Sequence, residues 1–133
     1  MVQSKIQNLR HNTWRIRQAG WRTKSKIRTT RIPVVSCSRA GRLVPPQAKG
    51  LRAGSVILKP GEAMGWHSTG PREELLLALA GRVRIEVQPR RRRAQSVALT
   101  VGQCAFLPTR TPHRVVNQSR SIARYLYITA PIQ

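Results

Sequence analysis

Three residues in this chain combine types and spacing that suit metal chemistry: His67, Glu74 and His113. Two neutral imidazoles and one carboxylate make a donor set for a divalent transition ion, with the carboxylate offsetting part of the cation's charge. They come from a small stock, because the chain holds three histidines and four acidic residues, all of the latter Glu. His67 and Glu74 flank a Gly70-Pro71 turn signal, and His113 belongs to a second, separate stretch. Both stretches are punctuated by glycine and proline at regular places. The chemistry therefore depends on a fold that brings the two stretches together.

The elements that must do this read as strands. Ser55–Lys59 runs into a Pro60-Gly61 turn. Glu74–Leu79 is short, apolar and bounded by turn residues, which favours strand over helix. Arg82–Val87 alternates strictly, with Val83, Ile85 and Val87 on one face and Arg82, Arg84 and Glu86 on the other. That is the pattern of a strand with one solvated face. It pairs with the preceding strand as a hairpin through Ala80-Gly81. Ser96–Leu99, Cys104–Leu107, His113–Asn117 and Ala123–Ile128 complete the set. Many short strands at close spacing with Gly/Pro turns predict an all-β sandwich or barrel.

The turn residues and candidate ligands form two frames. The first runs Pro60-Gly61, His67, Thr69, Glu74, Gly81, and the second runs Gly102, Pro108, Arg110, His113, Asn117. In order and internal spacing these resemble the two motifs of the cupin family, PG-x5-H-x-H-x4-E-x6-G and G-x5-P-x-G-x2-H-x3-N. The resemblance covers roughly residues 51–130. It implies a small jelly-roll β-barrel with His67, Glu74 and His113 in its mouth, holding a divalent metal ion (Fe, Mn, Ni or Zn). Two positions depart from the pattern. Thr69 stands where the family carries a second histidine, and a hydroxyl is a poor ligand for such ions. Arg110 stands where the family carries glycine, which puts bulk and positive charge at a turn. Glu73 competes with Glu74 for the carboxylate role. Glu74 is preferred, since Glu73 is one residue off the family's spacing and neighbouring strand residues face opposite ways.

Around this triad, Thr69, Arg72, Arg110, Tyr125 and Tyr127 are the candidate ligand-binding residues. The arginines suit an anionic small molecule at the rim, and the two tyrosines share one face of the last strand. Trp66 should face away from His67 and reads as packing. Two functions follow. In one, the metal serves an enzyme of the dioxygenase or isomerase type acting on a small molecule. In the other, the barrel is a non-catalytic module that binds a sugar or carboxylate without a functional metal. No general base separate from the triad is apparent, and no catalytic residue is assigned.

The 133 residues suit one domain, divided here into a basic N-terminal extension with linker (1–50) and a barrel (51–133). The charge balance is extreme, 25 Lys and Arg against four Glu, for a formal net charge of +21. Such a balance favours anionic partners and says nothing of fold. The leader carries an apolar face if residues 2–20 are helical, and its acid-free, Ser/Thr-containing composition resembles a transit peptide. Contact of this extension with nucleic acid or an anionic membrane ranks below a simple solvated tail. Arg90–Arg93 reads first as a solvated loop and second as a polyanion patch. No apolar run approaches the ~18 residues of a transmembrane helix, and the compartment expected is the cytoplasm. Cys37 and Cys104 have no metal-ligand spacing, and Cys104 is expected to be a small buried hydrophobe. Exposed sheet edges need covering, so a homodimer is expected.

Overall fold

Period-two alternation builds the molecule. The computed structural model describes residues 8–9, 32–88 and 90–133. Among these residues ten strands run in order: β1 (Asn8–Leu9), β2 (Gly41–Arg42), β3 (Arg52–Leu58), β4 (Ala63–Ser68), β5 (Arg72–Ala80), β6 (Arg82–Val87), β7 (Gln95–Thr100), β8 (Cys104–Leu107), β9 (Pro112–Val116) and β10 (Ala123–Pro131). They form two five-stranded sheets, β1-β4-β9-β6-β7 and β2-β3-β10-β5-β8. Their pairings are antiparallel except for β1 with β4. The two sheets face each other as an all-β barrel, the architecture expected.

The core lies between the sheets, where inward residues of each strand meet. Leu58, Leu76, Val83, Ile85 and Val115 are almost fully buried, and Met64, Leu99, Leu107 and Tyr125 join them. Each large aliphatic removed from water in this way contributes roughly 1.5–3 kcal/mol. On β6, Val83 and Ile85 turn inward while Arg82 and Arg84 turn out, as the alternation predicts. On β5, Glu74, Leu76 and Ala78 turn inward and Glu73 and Leu75 turn out. Gly81 links these strands at φ +65°. A Cβ there would lie 2.6 Å from the Ile122 carbonyl oxygen, so only glycine fits.

Three features differ from the sequence-based expectations. β5 and β6 do not pair as a hairpin through Ala80-Gly81, because that turn carries the chain from one sheet to the other. Cys104 is exposed rather than buried. Register explains it: Cys104 lies opposite Leu77, and Leu107 opposite Glu74. Ala105 and Leu107 therefore take the inward positions of β8, leaving Cys104 and Phe106 outside, with Phe106 60% exposed. The helix read over residues 2–20 falls mostly outside the described residues, and Asn8–Leu9 within it form a strand on the edge of β4. Gly41–Arg42 similarly pairs with the edge of β3, and Val44 beyond it is buried. Both short strands satisfy backbone groups on sheet edges that would otherwise be open.

Candidate metal centre

His67, Glu74 and His113 converge from both sheets. On one sheet, His67 of β4 lies directly opposite His113 of β9, and their rings are 4.2 Å apart at 60°. Their meeting requires a β-bulge. Met64 pairs with Val115 and His67 with His113, so β4 spends three residues where β9 spends two. Without the extra residue, alternation from the buried Met64 would turn His67 outward. With it, His67 faces the interior and Trp66 faces out, 46% exposed. Glu74 comes from the opposing sheet, 6% exposed, while Glu73 points to solvent.

Backbone carbonyls fix the imidazoles. His113 Nδ1 lies 2.9 Å from the Thr111 oxygen, and His67 Nδ1 lies 2.6 Å from the Gly65 oxygen, inside the bulge. A carbonyl can only accept, so each Nδ1 carries the proton and donates it. The Nε2 atoms then bear lone pairs. His113 Nε2 is buried, lies 3.3 Å from Glu74 Oε2, and makes no hydrogen bond, since a lone pair and a carboxylate oxygen both only accept. A lone pair facing a buried carboxylate without a cation between them is unfavourable. The ligand atoms of all three residues lie within 4.8 Å of one another. Metal bonds of about 2.1 Å hold two donors at most about 4.2 Å apart, so a small closing movement would bring the set onto one ion. The residues present fit a divalent cation.

The family's fourth ligand position has another task. Thr69 is buried, its hydroxyl donating to the Pro108 carbonyl (2.7 Å) and accepting from the Thr111 N–H (3.0 Å). It ties the first frame to the second. Arg110, at the other departure, has φ 55°, the left-handed region that glycine favours. Its N–H donates to the Gly70 carbonyl and its side chain is exposed. Arg72 bonds Thr129 through its hydroxyl and carbonyl oxygens, and also donates to the Gly50 carbonyl. It braces the end of β10, and burial beside Arg52 lowers its pKa. Asn117, fully buried, donates to the Leu58 and Ser121 carbonyls and accepts from Ser119, closing three segments together.

Tyr125 and Tyr127 lie on the inward face of β10 near Glu74. Burial and then the Glu74 charge push both phenols up, Tyr127 to about 12 and Tyr125 further. The Tyr127 ring fills the space where a Cβ on Gly54 would stand. Sequence reading did not find Gly65 or Thr111, and it placed Pro108 in the second frame without a role. They act through backbone atoms, and backbone roles leave no residue-type signal.

A family model for the cupin domain matches residues 54–129. The chain belongs to the cupin family. Among solved structures, this cupin is similar to TT1209 from Thermus thermophilus, with 29% identity and a TM-score of 0.59 over 70% of this chain and 84% of that one. It is also similar in fold to Peruvianin-I, a cysteine peptidase from Thevetia peruviana latex (19% identity, TM-score 0.58, 62% of this chain). A third is recombinant oxalate oxidase in complex with glycolate (15% identity, TM-score 0.58, 62% of this chain). The cupin spans about half of Peruvianin-I, 51%, and 42% of oxalate oxidase. No curated protein matches it in sequence.

Proposed function

We propose that this cupin binds a divalent transition-metal ion through His67, Glu74 and His113 and acts with it on a small carboxylate-bearing molecule. The observation that carries the proposal is the buried His113 Nε2, without a hydrogen-bond partner and 3.3 Å from the Glu74 carboxylate. Oxalate oxidase, similar in fold and solved with glycolate, supports the carboxylate class. A bound ion supplies Lewis acidity and, if it is iron, the means to activate O₂. The chain supplies the rest. Thr111 and Gly65 hold the histidine tautomers, so that neither ring must turn over on binding. Tyr125 and Tyr127 remain protonated at neutral pH and can donate to an anionic ligand beside Glu74. The aliphatic core around them excludes water. Thr69 is committed to its brace, which leaves three protein ligands and open positions for a substrate.

Reconstitution followed by elemental analysis tests this. Near-stoichiometric Fe, Mn, Ni or Zn in the wild-type chain, lost in Glu74→Ala and His113→Ala variants that still fold, is the expected result. A folded chain that takes up none of these ions would refute the proposal. One observation favours the second reading, a metal-free binding module: Thr69 stands at the family's fourth ligand position and is committed to hydrogen bonds with Pro108 and Thr111. Carboxylate binding of equal strength with and without chelator would establish that reading instead.

A further inference from the structure

The outer surface of the β1-β4-β9-β6-β7 sheet is not explained by the metal centre on its inner side. Alternation turns Arg82 and Arg84 of β6 outward, and Arg114 of β9 lies beside Glu86 across the strand pair. Glu86 is the acid on these strands, and Arg114 neutralises it, Nε to Oε2 at 2.5 Å. Arg84 is anchored to Ser96 at 2.8 Å. The β4 bulge that turns His67 in also turns Trp66 out onto this face, where it is 46% exposed. Arg114 stands over the Trp66 ring, 5.3 Å from its centroid. The connection from β6 to β7 carries Arg90–Arg93, all exposed, at the end of the sheet nearest Trp66 and Arg114.

We propose that this face binds single-stranded nucleic acid, with Trp66 as a base-stacking platform and Arg82, Arg84 and Arg90–Arg93 tracking the phosphates. The charge is complementary: the face is cationic on a chain of net +21. A half-exposed indole among guanidinium groups on a rigid sheet is the combination that holds unpaired bases, since every base has a π-face. Charge alone would serve any polyanion, and the aromatic ring selects among them. A sheet face with one half-exposed ring offers no amphipathic helix to enter a lipid bilayer. Duplex DNA would offer the ring no unstacked base.

The leader is also basic, so binding alone does not test the face. The full chain carries Trp14, Trp21 and Trp66, and Trp14→Phe with Trp21→Phe leaves Trp66 as the single indole reporter. Titration with a labelled oligo(dT) should give anisotropy-detected binding together with quenching of Trp66 emission. Heparin and phosphatidylglycerol vesicles should leave that emission largely unchanged. Trp66→Ala should weaken oligo(dT) binding roughly 5- to 150-fold, the range of one lost stacking contact. Arg82→Gln with Arg84→Gln should reduce the slope of log affinity against log salt by about 1.4, at about 0.7 per phosphate on a single strand. Unchanged thermal melting of each variant shows that the fold persists. Oligo(dT) binding that leaves Trp66 emission and the salt slope unaltered would assign the affinity to the leader and overturn the proposal. Equal quenching by heparin, or no binding at low salt, would overturn it as well.

Discussion

At His113 the proton on Nδ1 is fixed by Thr111, and this decides what Nε2 can do: it can accept, and a carboxylate faces it. Residue types, the spacing of the two motifs and strand parity together reached this group. Glu74 was distinguished from Glu73 because adjacent strand residues face opposite ways, and on β5 the first turns inward and the second out. Thr69 was legible as a departure from a motif but not as a brace, because its partners are main-chain atoms of a distant turn. The brace has a measurable weight. Thr69→Val keeps the shape and removes both hydrogen bonds, leaving the Thr111 N–H without its side-chain acceptor. A loss of about 1–3 kcal/mol is expected in urea denaturation. A variant as stable as the parent would show that the hydroxyl contributes nothing.

Among the elements, alternation and turn residues located β3 and β5–β10 to within a few residues. The six-residue β4 was not delimited, and the hairpin expected of β5 and β6 is instead a crossing between sheets. Three further things escaped. The two-residue strands β1 and β2 are too short to carry a period, and they exist because neighbouring edges offer pairing. The outward placement of Cys104 depends on register with β5, which local sequence does not encode. The β4 bulge adds a residue whose effect appears only when β9 is beside it. The β5–β6 turn permits a sharp test. Gly81→Ala combines a left-handed φ with a clash against the Ile122 carbonyl, for a loss of roughly 2–4 kcal/mol. Thermal denaturation reads it, and a loss under about 1 kcal/mol would mean the turn can relax. Strand β10 governs alkaline behaviour. Tyr127 in the fold is held at about 12, above the ordinary value of 10, and Tyr125 is raised further. Their neutral forms therefore add stability that is complete below pH 10 and falls as pH rises from there through 12. Tyr127→Phe should flatten part of that decline in pH-dependent denaturation. An identical slope in the variant would count against the burial argument.

For the whole molecule, the net charge of +21, shared between residues 1–50 and the barrel, is a standing repulsion. Such self-repulsion opposes the compact state and is screened by salt. The melting midpoint should rise between about 20 mM and about 500 mM NaCl. A fall would mean that attractive pairs such as Arg114–Glu86 outweigh the repulsion. The composition announced this imbalance, but it could not say which surface carries it.

The three candidate ligands do not lie on one sheet. His67 and His113 face the interior from one, and Glu74 faces it from the other. A shared cation would thus act as a rivet through two plates. Its removal would loosen one end of the sandwich while the aliphatic layer behind it stays shut. Amide exchange in β4, β9 and the first half of β5 should then quicken on chelation, with β3 unmoved, so that the mechanical state of the barrel becomes a gauge of its metal.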